Sequence, residues 1–349
     1  MSNLTSHWRS PSNIALVKYW GKFHDQIPAN PSISFTLDEC YTQTSIRAER
    51  KTTTDEFSFD ISLDGQTREE FRPKIQTFFK RIAAEAPWLK DHHLVIQTQN
   101  SFPHSSGIAS SASGMSALAL CLLDMEEKLT GVKRPDFYRQ ASSWSRLGSG
   151  SASRSVYGGL VEWGRFEGIA ESSDQYAVPY RGELDAVFED FRDFILLVET
   201  GSKTVSSSAG HGLMNQHPYA KKRFEQAHIN LRELQTFLAA GDLQGFGELV
   251  ESEALTLHAM MMTSRPYFIL MKPNTLEIIE KIWRFRREAH LPVYFTLDAG
   301  ANIHLLFPNT ITDRIDNFVT EKISPLLKDG RYIRDRVGSG PVKQKYLDI

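Results

Sequence analysis

Ser105-Ser106-Gly107-Ile108-Ala109-Ser110-Ser111-Ala112-Ser113-Gly114 runs straight into an apolar segment that carries Leu118 and Leu122. Small side chains let a backbone come close to an anion. The unpaired N–H groups of a first helical turn then face that anion with the positive end of the helix dipole. The stretch predicts either a phosphate cradle at a helix N-terminus or a serine-rich turn before a capped helix. It is not a Walker A loop: GxxxxGK[ST] occurs nowhere, and Gly201-Ser202-Lys203-Thr204 copies only its last positions.

Around this loop, elements of both kinds alternate. Ile14–Tyr19, Ser32–Leu37, Thr44–Ala48, Phe57–Leu63 and Leu94–Gln97 are short and rich in Ile, Val, Phe and Thr, and they predict strands. Arg68–Glu85, Ser110–Leu129 and Pro135–Leu147 carry apolar residues at helical spacing. Further on, Asp193–Glu199, Pro292–Asp298 and Ile303–Phe307 read as strands, and Tyr219–Ala240, Leu243–Met262 and Thr275–His290 as helices. In the first of these helices Phe224, Ala227, Leu231, Leu234 and Leu238 make a core-facing stripe that ends before Gly241. The fold class is α+β. At 349 residues two lobes are expected. The polar patch Gly168–Leu184 places their boundary near residue 185, giving lobes 1–185 and 186–349.

Composition narrows the function. Forty Lys+Arg against 42 Asp+Glu leave a net charge of -2, which argues against a nucleic-acid partner. Cys40 and Cys121 are too few for a disulfide framework or a thiolate metal cage, which fits a cytoplasmic protein. The longest apolar block, Ala117–Leu123, is far shorter than the roughly 20 residues of a membrane span, so no membrane partner is expected. His92, His93 and His258 lack zinc-like spacing and read as structural.

Three further segments bear chemistry. In Asn13-Ile14-Ala15-Leu16-Val17-Lys18-Tyr19-Trp20-Gly21-Lys22, two cations follow an apolar strand; they suit a phosphate ester, or they protect a sheet edge. Gly148-Ser149-Gly150-Ser151-Ala152-Ser153-Arg154-Ser155-Val156-Tyr157-Gly158-Gly159 sets one arginine in a small-residue loop, either as a two-pronged carboxylate clamp or as a tie to backbone carbonyls. In Tyr294-Phe295-Thr296-Leu297-Asp298-Ala299-Gly300-Ala301-Asn302, the Asp closing an apolar strand is a turn former or a base in a dry pocket.

In this order and at these separations the four segments resemble the GHMP kinase superfamily and, within it, the diphosphomevalonate decarboxylases. Ile27-Pro28-Ala29-Asn30 and Ser32-Ile33-Ser34 add to the likeness, while Pro31, His104-Ser105-Ser106 and His211 depart from the usual pattern. The resemblance implies a two-lobed GHMP kinase fold, with a left-handed βαβ unit in the first lobe and a ferredoxin-like second lobe. It implies ATP-dependent decarboxylation of mevalonate 5-diphosphate, with ATP and Mg2+ as cofactors and a homodimeric assembly.

By the same resemblance Asp298 is the base, Lys18 stands beside it, and Arg154 orients the substrate carboxylate. Asn13, Tyr19, Lys22, Ser149, Gly150, Ser151 and Ser207 would bind substrate. Asn100, Ser105, Ser106, Gly107, Ala109, Ser110 and Ser111 would hold ATP. Mg2+ would sit mainly on phosphate oxygens, with Ser111 as its protein ligand. The competing expectations are a decarboxylase of the 5-monophosphate, a mevalonate 3-kinase, and a non-catalytic sensor of phosphorylated ligands. Asp298 and the Ser110-Ser111 pair weigh against the last two.

Overall fold

A computed structural model describes residues 4–103, 108–169, 171–200 and 207–345 of the chain. Its first half contains β1 (Leu4–Val17), β2 (Ser32–Arg50), β3 (Ser58–Leu63), β4 (Gln66–Thr67), α1 (Arg72–Ile82), β5 (His92–Asn100), α2 (Ser110–Thr130), α3 (Phe137–Gly148), β6 (Leu160–Trp163) and β7 (Ala177–Pro179). The second half contains β8 (Phe191–Leu196), α4 (Ser207–Gly212), α5 (Ala220–Ala240), α6 (Leu243–Thr263), α7 (Pro273–Ala289), β9 (Tyr294–Thr296), β10 (Ile303–Pro308), α8 (Thr312–Phe318), β11 (Tyr332–Arg336) and β12 (Val342–Lys343). The architecture is α+β, with two separate sheets.

β1 alternates buried with half-buried residues as far as Arg9 and is buried on both faces from Ser10 to Val17. That second stretch carries the strand into the middle of the molecule. β2 pairs with β1 along most of its length and joins into one strand the two segments expected as separate. The polar Asp38-Glu39 interruption does have a structural counterpart. The register shifts between Pro11 and Asn13, where proline has no N–H to give. The freed N–H groups of Asp38, Glu39 and Cys40 donate instead to the Asp335 carboxylate on β11, at 2.8, 2.9 and 2.8 Å. A break in the sequence pattern is thus a bulge that ties the first sheet to the second.

The first sheet has the order β12-β1-β2-β5-β3-β4, with β6 and β7 added beside the other half of β2. β3 and β5 run parallel, so the chain between them must cross over, and α1 makes that crossing. The expected connection Gly168–Leu184 contains β7, which pairs with β6. The second sheet is β11-β8-β10-β9 and wholly antiparallel. Val342 and Lys343 then return to pair with Arg9 and Trp8 of β1.

Among the described residues, the three largest apolar cores hold these layers. One lies between the first sheet and its helices, around Phe59, Phe78, Leu122 and Trp144. Another joins the second sheet to α7 and α8 through Phe295, Ile282, Leu305 and Ile315. Between them, Ile14, Ile33 and Phe35 from β1 and β2 pack with Phe191, Leu231, Phe246 and Val250. Each such side chain, fully buried, stabilises the fold by about 1.5–3 kcal/mol. The seam therefore holds the strand end of β1 firmly against α5 and α6. Among the described residues no helix is long and apolar enough to cross a membrane.

Candidate active site

β1 leaves its ladder after Val17, its last partner being Ile33. The next residues line a cavity of about 880 Å³. Lys18, Tyr19 and Lys22 reach it from the segment that follows β1, Asn100 from β5, Ala109, Ser110 and Ser111 from the start of α2, Ser149, Gly150, Ser151 and Arg154 from the segment after α3, and Asp298 from the turn after β9. Five segments of the chain thus share one space. Ser105, Ser106 and Gly107 lie outside the described residues, as does the Ser207 side chain at the start of α4.

Lys18 is 1% exposed. Its Nζ donates to the carbonyl of Ala15 at 2.6 Å and lies 3.4 Å from Asp298 Oδ1. Burial pulls the Lys18 pKa below that of an ordinary lysine, and the Asp298 charge opposes that pull. Asp298 is not the last residue of the strand: the β9–β10 ladder ends at Thr296, opposite His304. The turn back into β10 begins at once, and the Gly300 N–H donates to the Asp298 carbonyl at 2.7 Å. The His258 imidazole of α6 donates Nε2–H to the same carbonyl at 3.1 Å. Asp298 is at once a turn former and a cavity carboxylate.

Arg154 is 2% exposed and held by two side chains, Asn13 and Ser32. Nε and Nη2 donate to Asn13 Oδ1 at 3.3 and 3.2 Å, and Nη1 donates to Ser32 Oγ at 2.5 Å. Asn13 does not line the cavity; it fixes the arginine and donates to the Ser155 hydroxyl at 2.8 Å. Burial lowers the Arg154 pKa to about 10, so the guanidinium stays charged at neutral pH. Gly150 sits beneath Tyr19, where an added Cβ would come within 2.7 Å of the phenol oxygen. Glycine is required there by close approach.

At the start of α2 the residue in the cap position is Ala109, in the left-handed region at φ 47°. Alanine offers no capping oxygen, and among the described residues no side chain caps this helix end. Ala109, Ser110 and Ser111 line the cavity, so the start of α2, the positive end of its dipole, borders that space. Ser111 Oγ lies 3.2 Å from Ser149 Oγ, which joins the two small-residue loops.

The sequence reading passed over part of the wall. Lys74, Thr77 and Arg81 of α1 all line the cavity. They are spaced i, i+3, i+7 and so form one polar stripe beside the apolar stripe of Ile75, Phe78, Phe79 and Ile82. That spacing was the available signal. The Lys74 pKa is lowered by its enclosure and by Lys22. His211 of α4 also lines the cavity; its Nδ1 accepts from the Gly21 N–H at 3.0 Å and its ring lies 4.2 Å from Tyr19.

Residues 10–177 match the diphosphomevalonate decarboxylase-like N-terminal domain, and residues 194–344 match the mevalonate 5-diphosphate decarboxylase C-terminal domain. Diphosphomevalonate decarboxylase of Bos taurus is 28% identical over 334 residues, covering 90% of this chain and 78% of that protein. Phosphomevalonate decarboxylase of Haloferax volcanii is 28% identical over 310 residues, covering 88% and 89%. The structure of MDDEF in complex with MVAPP, AMPPCP and magnesium superposes with a TM-score of 0.84 at 25% identity, covering 99% of this chain and all, 100%, of that one. With both halves matched in order, the chain belongs to the diphosphomevalonate decarboxylase family.

Proposed function

We propose that the protein converts mevalonate 5-diphosphate and ATP to isopentenyl diphosphate, carbon dioxide, ADP and phosphate. The observation that carries this reading is the Lys18–Asp298 pair, 3.4 Å apart in a cavity shared with Arg154 and the uncapped start of α2. The Asp298 carboxylate takes the proton of the tertiary C3 hydroxyl as that oxygen bonds to the γ-phosphorus and ADP leaves. The new C3 phosphate departs with the C–O electron pair. The bond to the carboxylate carbon then breaks, its electrons form the C2–C3 double bond, and carbon dioxide is released.

Each residue has a part. The Lys18 ammonium, fixed in a dry site, favours the ionised base and the charge passing to the phosphoryl oxygens. The Arg154 fork, steadied by Asn13, binds the substrate carboxylate in two places. Tyr19, Lys22, Ser149, Gly150, Ser151 and Ser207 bind the diphosphate end. Asn100, Ser105, Ser106, Gly107, Ala109, Ser110 and Ser111 hold ATP at the dipole of α2. Among the described residues no three His, Cys, Asp or Glu side chains converge as a metal cage. The oxygen donors at the start of α2 still fit a hard cation, so Mg2+ would sit on phosphate oxygens with Ser111, neutralising charge on the phosphates.

The lobes divide at residue 185 in this reading, into 1–185 and 186–349, with the pair Val342–Lys343 returning to the first sheet. The enzyme acts as a homodimer, as the resemblance implies. It acts in the cytoplasm, where Cys40 and Cys121, both buried and unpaired, would remain thiols.

The likeness to the Haloferax volcanii protein supports a second reading, decarboxylation of the 5-monophosphate. One experiment separates them: purified protein and MgATP receive mevalonate 5-phosphate or 5-diphosphate, and ADP and carbon dioxide are followed together. Both products from the diphosphate alone are expected. Both from the monophosphate alone would establish the second reading, ADP without carbon dioxide, here or with mevalonate itself as a third arm, a 3-kinase, and neither product from any of the three a non-catalytic sensor.

A further inference from the structure

Lys18 stands where β1 has run out of partners, yet its backbone is held from both sides. Its N–H donates to Glu253 Oε2 of α6 at 2.8 Å, across 235 positions of sequence. Its carbonyl accepts from Asn30 Nδ2 at 3.0 Å and from Arg223 Nη2 of α5 at 3.4 Å. Arg223 Nη2 also meets Glu253 Oε2 at 2.5 Å, and Asn230 Nδ2 meets Glu253 Oε1 at 2.5 Å. Glu253 is 0% exposed and Arg223 2%. A buried ion pair stabilises a fold little compared with apolar residues of the same volume, so its presence calls for another reason.

α6 supplies that reason. Five residues after Glu253 it carries His258, 1% exposed, which donates to the carbonyl of Asp298 at 3.1 Å. A single helix thus grips the backbone of both members of the Lys18–Asp298 pair. We infer that Glu253 is a positioning residue: by accepting the Lys18 N–H it fixes the lysine on α6, which through His258 also holds the turn of Asp298. It touches neither reactant. Its effect passes through the 3.4 Å spacing of the two groups that do the chemistry, where a shift of about 1 Å can cost on the order of 10²-fold in rate.

The inference rests on the decarboxylase reading, and its test begins with wild-type protein releasing ADP and carbon dioxide. Removing Glu253 alone would leave Arg223 buried without its partner and could unfold the chain, so paired variants are used. Arg223→Met/Glu253→Leu keeps an apolar fill but gives the Lys18 N–H no acceptor; Arg223→Met/Glu253→Gln restores an acceptor. The Leu pair should lose at least ~10-fold in kcat with the KM for ATP within about threefold of wild type. The Gln pair should return kcat to within about threefold. As a variant that leaves the ion pair intact, Asn30→Ala loosens only the carbonyl side and should lower kcat by about threefold or more at unchanged KM for ATP.

Near-wild-type kcat in the Leu pair, or equal losses in the Leu and Gln pairs that follow their thermal midpoints, would overturn the inference. Should the Leu pair fail to fold, undiminished kcat in Asn30→Ala would overturn it as well. Wild-type protein that releases no carbon dioxide would instead sink the decarboxylase reading, and the two failures are told apart.

Discussion

Lys18 Nζ and Asp298 Oδ1 lie 3.4 Å apart although 280 positions separate them in sequence. The lysine is almost wholly buried, whereas the aspartate side chain is 28% exposed and opens to the cavity. Of the two, Asp298 is therefore the group a substrate hydroxyl can reach. Asp298→Asn keeps size and turn but cannot take a proton. Turnover should fall by about 10²- to 10⁴-fold, with calorimetric binding of ATP and substrate nearly unchanged. Close to full turnover in this variant would remove Asp298 from the chemistry.

Lys18 carries an opposite expectation for stability. Its folded pKa lies below that of a free lysine because burial disfavours the ammonium. Such a group costs stability while it is charged, and the cost is relieved as pH rises from the folded toward the unfolded pKa. Lys18→Met should thus abolish most activity while leaving the thermal midpoint level or higher. In the wild type, kcat should decline on the alkaline side at a lower pH than a solvent-exposed lysine would give. A midpoint several degrees lower in Lys18→Met would show that the lysine serves the fold instead.

The lysine and its aspartate were legible in the sequence because each sits at the end of an apolar run with small residues beside it. Arg154 was legible as an arginine alone in a small-residue loop. What holds them was not. The acceptor of the Lys18 N–H comes from α6 and the fixer of Arg154 from β1, and no local pattern announces a contact across so many positions. Lys74 and Arg81 were hidden differently: on a helix with a strong apolar stripe, the polar face reads as solvent until the fold shows a cavity there. The long β2 was read as two strands, Ser32–Leu37 and Thr44–Ala48, and the Asp335 carboxylate that holds the N–H groups of Asp38 and Glu39 at the bulge between them comes from distant β11. The α+β character followed from periodicity, a local average that tertiary contacts seldom overturn.

Arg154 and its support invite a graded test. Arg154→Lys retains the charge but loses the fork, and a point cation cannot bridge both carboxylate oxygens. Charge-assisted hydrogen bonds are worth about 1.5–3 kcal/mol each, so kcat/KM should drop by roughly 10- to 100-fold. Asn13→Leu leaves Arg154 in place but removes the acceptor of two of its donors. A smaller loss with a raised KM for the carboxylate substrate is expected, and an unchanged KM would place the carboxylate elsewhere.

Gly150 gives a steric test of the phenol beside it. In Gly150→Ala the new methyl would come within 2.7 Å of Tyr19 Oη and 2.9 Å of the Trp163 ring. Trp163 is 1% exposed and cannot yield, so Tyr19 must move. The KM for the phosphorylated substrate should rise by about tenfold while the fold survives, because a small overpacking strain costs about 1–3 kcal/mol. Trimming the ring by Tyr19→Leu in the same chain should remove the strain, visible as a recovered thermal midpoint, without restoring the KM.

The two histidines around the pair predict how the protein fails in acid. Burial lowers the pKa of His211 to about 3 and of His258 to about 4, against 6.5 for an ordinary histidine. Between those limits the unfolded chain binds protons that the folded chain refuses, so stability is full above pH 6.5 and falls as pH drops toward 4. The slope is about 1.4 kcal/mol per pH unit for each histidine, or roughly 2 kcal/mol apiece between pH 6.5 and 5. Urea unfolding at these two pH values measures the loss. His258→Gln can still donate to the Asp298 carbonyl but takes up no proton, so its loss should be smaller than that of the wild type by the share of one histidine. An identical pH dependence in the two proteins would mean that His258 takes up its proton in the fold as readily as in the unfolded chain, and its burial would then contribute nothing to acid lability.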